Sequence, residues 1–358
     1  MTSLRIGVIA SVAHRTPPRG YGPWEQVASS LAEGLVRLGH DVTLFATADS
    51  QTAGTLRSCV STGYEEDLEL DAKVVEALHL GAAFERAAEF DVLSNQFDFL
   101  PLTYSRLVDT PVVTTIHGFS SERIVPVYAA YDDIAHYVAI SDADRHPALT
   151  YAATIHHGVE LDRFTFTERS GEYLLFLGRI HPHKGTHRAI EVARRTGLPL
   201  VIAGVVQDQA YFDELVRPHL GPRVSYVGPV EPPERDALLG GAHALLHLIS
   251  FAEPFGLAVV EALATGTPAV AFGLGALPEI IRHGRTGFLV ADLDGAVAAV
   301  DQIGQLDRRA CRADVELRFS AERMVAAYAE LFALVASSRS IRPSRSTVAN
   351  RTDASLAP

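Results

Sequence analysis

Short apolar runs alternate with amphipathic helical segments along nearly the whole chain, and this alternation constrains the fold more than any other feature. Residues 4–10 read as a buried strand, 24–38 as an amphipathic helix, and 42–46 as a second strand after Gly39. Residues 71–89 have helical spacing through Val74, Val75, Leu78, Ala82 and Phe84, and short strands follow at 92–94, 112–116 and 137–140. Such a βαβ series forms a parallel sheet with helices on both faces. A polar stretch at 165–171 is followed by a second series, with strands expected at 173–177, 200–203, 224–227, 244–248, 269–272 and 287–290. The fold class is therefore α/β, as two doubly wound units with a ligand crevice between them at the carboxyl ends of their strands. The expected units are residues 1–166 and 167–336, the second closed by a helix that Ser320 caps and that runs to Val335. Residues 337–358, rich in Ser, Arg, Thr and Pro, are expected to be disordered.

Charge and cysteine content exclude several function classes. Residues 1–165 carry 11 Lys+Arg against 22 Asp+Glu, a net of −11; the remainder carries 20 against 21, a net of −1. An acidic first half repels nucleic acid and anionic membrane surfaces, so neither is an expected partner. No apolar run approaches the ~18 residues of a spanning helix, and the first residues lead directly into a strand rather than a secretory leader. The two cysteines, Cys59 and Cys311, support neither a disulfide framework nor a cysteine zinc site, in keeping with a cytoplasmic location.

The strongest chemical signal is Ser250-Phe-Ala-Glu253-Pro-Phe-Gly-Leu-Ala-Val-Val-Glu261. Pro254 suits the first position of a helix, with Glu253 as its N-cap and the free amides of Phe255, Gly256 and Leu257 facing a ligand. On such a helix Glu261 lies about 12 Å along the axis from Glu253 and roughly 80° round it. Two carboxylates so spaced can touch two polyols on either side of a diphosphate. The same residues also admit a capping box from Ser250 to Glu253 and a solvated carboxylate at Glu261. The second signal is Gly178-Arg179-Ile-His-Pro-His-Lys184-Gly185, where a strand-end turn offers two cations, a natural diphosphate clamp. With 29 Arg and only two Lys in the chain, a lysine in this turn suggests a compact point charge, although composition alone can also place it there.

These motifs, with Thr115-Ile-His117-Gly118, Gly266-Thr-Pro268, Pro278-Glu279, Gly284-Arg-Thr-Gly287 and the opening Gly20-Tyr-Gly22-Pro-Trp-Glu25, occur in an order that resembles the family-4 (group 1) retaining glycosyltransferases of GT-B fold. The resemblance covers roughly residues 4–336 and implies two facing Rossmann-like domains, the first on the acceptor side and the second binding the nucleotide sugar. It implies a hexosyltransferase that moves sugar from a UDP-glucose or GDP-mannose type of donor to a sugar, polysaccharide or small-molecule acceptor. Arg179 and Lys184 would bind the donor diphosphate, and Glu253 and the amides after it the sugar hydroxyls. Glu261 would hold the ribose, His117 would stand beside the reacting carbon, and Gly20 and Gly22 would let the first loop approach the phosphates or the acceptor. No metal and no cofactor are expected. Two departures touch the cleft: Pro23 stands where the family often has a second glycine, and His156-His157-Gly158 replaces the usual Asn-Gly.

Other features carry less. His181, His183 and His187 invite a metal site, but no carboxylate accompanies them. Asp142-Ala-Asp144 mimics a metal-binding pair, although Ser141 and Asp142 more simply start a helix. His117 can also be a satisfied buried histidine, and Trp24 core. A nicotinamide oxidoreductase needs a Gly-x-Gly-x-x-Gly turn after the first strand, where residues 6–18 offer only Gly7. The nearer alternatives are a GT-B disaccharide phosphorylase, a sugar-nucleotide epimerase, or a silent sugar-nucleotide sensor.

Overall fold

The structure, a computed structural model, describes residues 3–119 and 121–339. Its first sheet has seven strands: β1 Arg5–Ile9, β2 Asp41–Phe45, β3 Thr55–Arg57, β4 Val92–Asn95, β5 Val112–Ile116, β6 His136–Ala139 and β7 Tyr151–Thr154. Their order is β3-β2-β1-β4-β5-β6-β7, and every pairing is parallel. Three helices connect them: α1 Pro23–Arg37, α2 Ala72–Phe84 and α3 Val125–Tyr131. Asp71 caps α2 by accepting from the Val74 amide, and Pro23 opens α1, where a missing N–H costs nothing.

The second sheet has six strands: β8 Tyr173–Leu177, β9 Leu200–Ala203, β10 Val224–Gly228, β11 Ala242–His247, β12 Ala269–Phe272 and β13 Gly287–Val290. It is again all parallel, in the order β10-β9-β8-β11-β12-β13. Its helices are α4 Thr186–Thr196, the single turn α5 Gln209–Tyr211, α6 Pro232–Gly240, α7 Leu257–Ala264, α8 Leu277–Ile280, α9 Leu293–Gln302, α10 Arg308–Arg318 and the final α11 Ala321–Arg339. Two parallel sheets with helices on their faces are the expected GT-B architecture.

The last helix departs from the expected division of the chain. Met324, Val325, Tyr328, Phe332 and Val335 of α11 are buried with Ile6, Val8, Leu31 and Leu35 in the core of the first sheet. The Tyr328 hydroxyl also lies 2.7 Å from Thr115 Oγ1. The last described helix, α11, therefore returns to the unit that holds β1 and ties the two units together. The Ser320 side chain accepts from the Arg323 amide at 3.3 Å, as its capping role requires. The helix runs on through Ser337, Ser338 and Arg339. The rest of the expected tail, residues 340–358, lies outside the described residues. Among the described residues no helix is long and apolar enough to cross a membrane.

Candidate active site

Both sheets reverse direction beside their first strand, since β1 lies between β2 and β4 and β8 between β9 and β11. Loops that leave neighbouring strand ends toward opposite faces diverge and open a crevice. The loop after β1 carries Gly20 and Gly22, the loop after β8 carries Arg179 and Lys184, the loop after β11 leads through Glu253, and His117 directly follows β5. Between the units lies a cleft of about 180 Å³, lined by Gly20 and Gly22 on one side and Arg179, Leu257 and Glu261 on the other.

Deeper in the second unit, Lys184 Nζ donates to Glu253 Oε2 at 2.8 Å, and His247 Nε2 reaches the same oxygen at 3.1 Å. Burial alone raises the pKa of Glu253. The hydrogen bond and charge of His247, with the charge and hydrogen bond of Lys184, outweigh it and hold the carboxyl at about 2. The ammonium also stands 4.7 Å above the Phe251 ring. Arg179 is half-buried and donates from Nη1 to Gln207 Oε1 at 2.7 Å.

The helix expected at Pro254 begins three residues later. Its N-cap is Gly256, with φ of 102° in the left-handed region that a side chain disfavours, and no side chain caps it. The Glu253 carbonyl accepts from the Ala276 amide at 2.8 Å, while its carboxylate is held by Lys184 and His247. Glu253 is therefore a positioned carboxylate on the approach to α7, not its cap. Ser250 bonds back to the His183 carbonyl, so no capping box forms. Phe255 is buried against His157 at a ring distance of 5.0 Å, which leaves Leu257 as the residue of this trio that lines the cleft.

Glu261 is not a solvated helix carboxylate. It is 8% exposed, and Arg235 Nη1 lies 3.4 Å from its Oε1. Burial raises its pKa and the Arg235 charge works against that rise. His117 follows the strand end and stacks between Trp24, at 5.4 Å, and His157, at 5.2 Å. The Gln96 amide donates to Ser94 and Thr115, so its Oε1 accepts from His117 Nε2 at 3.1 Å. His117 Nδ1 then carries the lone pair that faces His157 Nε2 at 3.4 Å. Burial lowers His117 to about 3, so the ring is neutral. The backbone of Gly118 approaches Pro254 so closely that a Cβ there would stand 2.7 Å from its Cγ, which sets His117 beside the Glu253 loop of the second unit.

Comparison with known proteins identifies the family and the fold. Residues 24–163 match the family described as Glycosyltransferase Family 4, and residues 160–310 match Glycosyl transferases group 1. The chain belongs to this glycosyltransferase family, and its fold is GT-B. It is 34% identical over 204 residues to the glycogen synthase of Mycobacterium tuberculosis, covering 52% of this chain and 49% of the synthase. The chain thus spans about half the length of that relative. It is 26% identical over 345 residues to the phosphatidyl-myo-inositol mannosyltransferase of the same organism, covering 86% of this chain and 89% of the relative. Its fold matches Anabaena Alr3699/HepE, solved in complex with UDP and glucose, with a TM-score of 0.73, 19% identity and coverage of 92% and 99%.

Several residues of this candidate site carry no clear signal in the sequence. His247 and Arg235 contact the two glutamates, and Gln96 sets the His117 tautomer. His247 ends β11, and a histidine at a strand's carboxyl end was a usable signal; Arg235, inside α6, offered none. No helix starts at Ser141. Its hydroxyl donates to the Pro254 carbonyl at 2.7 Å, and the amides of Asp142 and Ala143 donate to Glu279 at 3.0 and 2.7 Å. An acceptor from the second unit has thus replaced helical bonding. Of the three histidines after Ile180, His181 and His183 stand together, with ring centroids 4.8 Å apart and His181 Nδ1 accepting from the His183 amide, while His187 Nδ1 lies 2.7 Å from the Tyr211 hydroxyl.

Proposed function

We propose that this glycosyltransferase moves a hexose from a nucleotide diphosphate sugar to an acceptor hydroxyl, with retention of configuration and without a metal ion. One observation carries the reading. Arg179 lines the cleft opposite the Gly20 and Gly22 loop of the first unit, and Lys184 with an ionised Glu253 stands on the same two strand-end loops of the second. Cations there neutralise a leaving diphosphate, and a carboxylate held at about 2 accepts from sugar hydroxyls across the neutral range. Glucose and mannose are the sugars that the relatives' names suggest, and UDP accompanies glucose in the Anabaena structure, so UDP-glucose and GDP-mannose are the donors to assay first.

A same-face route to retention is supported by which groups are free. Double displacement needs a carboxylate nucleophile at the anomeric carbon. Here Glu253 is engaged by Lys184 and His247, and Glu261 by Arg235. Stabilising the departing diphosphate instead favours an oxocarbenium-like sugar attacked from the face the nucleotide leaves, with a phosphate oxygen as base. Following the anomeric proton by NMR during turnover should show an α product from an α donor. An initial β product would defeat the mechanism. Turnover is also expected to survive EDTA, because Arg179, Lys184 and the α7 N-terminus supply positive charge. Abolition by chelator with rescue by a divalent ion would reverse that expectation.

Glu261 is assigned to the ribose hydroxyls. Its carboxylate lines the cleft while Arg235 orients it, so Glu261→Gln should raise the donor KM and cost about 1–3 kcal/mol in kcat/KM. An unchanged donor KM would remove the assignment.

A further inference from the structure

The first unit holds a second cavity, of about 150 Å³, apart from the interdomain cleft. It lies at the edge of the sheet, where β2 ends in Phe45 and β3 in Arg57, and its other wall is α2 with His79 and Ala82, then Arg86 just beyond. Ligands of parallel α/β sheets bind outside the carboxyl ends of strands, and this cavity is so placed.

Two guanidinium groups line it. Arg57 is exposed, and its side chain makes no hydrogen bond or ion pair among the described residues. Arg86 Nη1 is paired with Glu89 at 2.7 Å, which leaves its remaining N–H groups unengaged among the described residues. The half of the chain that holds them has 11 basic against 22 acidic residues, so bulk charge does not explain two arginines on one cavity. His79 adds an acceptor. The ring is 1% exposed, and its Nε2 lies 2.9 Å from the Ala10 carbonyl. A carbonyl only accepts, so Nε2 carries the proton and Nδ1 the lone pair. Burial lowers the ring to about 4 and keeps it neutral.

We propose that this cavity binds a small hydroxylated phosphomonoester, with the phosphate on Arg57 and Arg86 and a hydroxyl donating to His79 Nδ1. Planar guanidinium forks match phosphate oxygens two at a time. A neutral imidazole lone pair repels an anion but accepts from a hydroxyl, so the phosphate belongs at the arginine end. Phe45 and Ala82 provide an apolar wall for the carbon skeleton. The cavity lies at the outer edge of the first sheet and shares no lining residue with the interdomain cleft, which separates this site from the donor cleft.

Cys59 gives a local readout, because it lines the cavity and is exposed while the other cysteine, Cys311, is buried. Glycerol 3-phosphate is the probe, and alkylation of Cys59 by iodoacetamide in mildly alkaline buffer is the measurement. At ten times its Kd the ligand should slow alkylation about tenfold. R57Q removes an exposed guanidinium without a protein partner, so the fold is retained, and Kd should rise about tenfold or more. Arg179→Gln, in the interdomain cleft, should leave protection unchanged. The proposal is overturned if R57Q is protected as well as the unaltered protein, or if Arg179→Gln abolishes protection. Equal protection by inorganic phosphate, by glycerol or by sulfate at matched ionic strength also overturns it, since none of these joins a phosphate to a hydroxyl arm.

Discussion

Replacing Lys184 by alanine is expected to destabilise the folded protein by about 3 kcal/mol and to remove about 2–4 kcal/mol of transition-state stabilisation. The two losses have different causes. Lys184 and Glu253 are 18% and 11% exposed, so deleting the ammonium leaves a poorly hydrated carboxylate with only His247 as a partner. That penalty belongs to the ground state of the empty enzyme. On the proposed function, the catalytic loss comes from the leaving diphosphate, which Lys184 would neutralise with Arg179. A second substitution separates the two. In Lys184→Ala with Glu253→Gln the unpaired charge is gone, so urea unfolding should recover much of the lost stability while kcat/KM stays low. Arg179→Ala should cost a similar 2–4 kcal/mol in kcat/KM by about the same mechanism, and the Arg179, Lys184 double variant should fall well short of the sum. Strict additivity would place the two cations at separate sites, and stability that stays low in the Lys184, Glu253 double variant would show that the lysine acts through packing.

The pH dependence of stability is expected to contain large contributions of opposite sign. His79 is buried and its pKa falls to about 4, below the ordinary value of about 6.5. The unfolded chain therefore binds the proton first as pH falls, and stability is lost between about 6.5 and the folded value. At pH 5 this amounts to about 2 kcal/mol for His79, and His117 and His157, both pushed down by burial, act in the same direction. Asp144 does the reverse. Burial first, then the charges of Glu253 and Glu279, raise it to about 7, and its Oδ2 is buried without a hydrogen-bond partner. Its folded form binds the proton first, so acidification from pH 7 to 5 restores about 2 kcal/mol. Urea unfolding at the two pH values can resolve the contributions by substitution. His79→Gln, which can still donate to the Ala10 carbonyl, should spare the protein about 2 kcal/mol of acid loss, and Asp144→Asn should deepen that loss by about as much. Unchanged differences between pH 7 and 5 in both variants would mean that neither group titrates as its surroundings require.

Much of the fold was legible because buried parallel strands are nearly continuous apolar runs. The strands Val112–Ile116, Tyr173–Leu177, Leu200–Ala203, Ala269–Phe272 and Gly287–Val290 have the bounds that the sequence predicts. Thr55–Arg57 and Tyr151–Thr154 were not visible. Both are edge strands, wet on one side, and neither carries an apolar run. The helix Val125–Tyr131 was missed for its shortness and the proline in its first turn. At the candidate site, Arg179, Lys184, Glu253 and His117 could be named because strand ends and turn glycines mark where a doubly wound sheet presents side chains, and Glu261 from its spacing to Glu253 along the following helix.

By itself, then, the amino-acid sequence determined two parallel sheets, the loops that face the crevice between them, and the charged residues on those loops, since each depends on local periodicity and turn chemistry. Only the tertiary structure decided which groups meet. Lys184 and Glu253 are 69 residues apart, Arg235 and Glu261 sit on different helices, and α11 packs against the first sheet rather than the second. The onset of α7 at Leu257 was also a tertiary outcome: the neighbouring loop takes the Glu253 carbonyl, Lys184 and His247 take its carboxylate, and a left-handed Gly256 turns the chain into the helix. Local propensity placed the proline correctly for a helix start, but long-range hydrogen bonds to a buried charge were the stronger term.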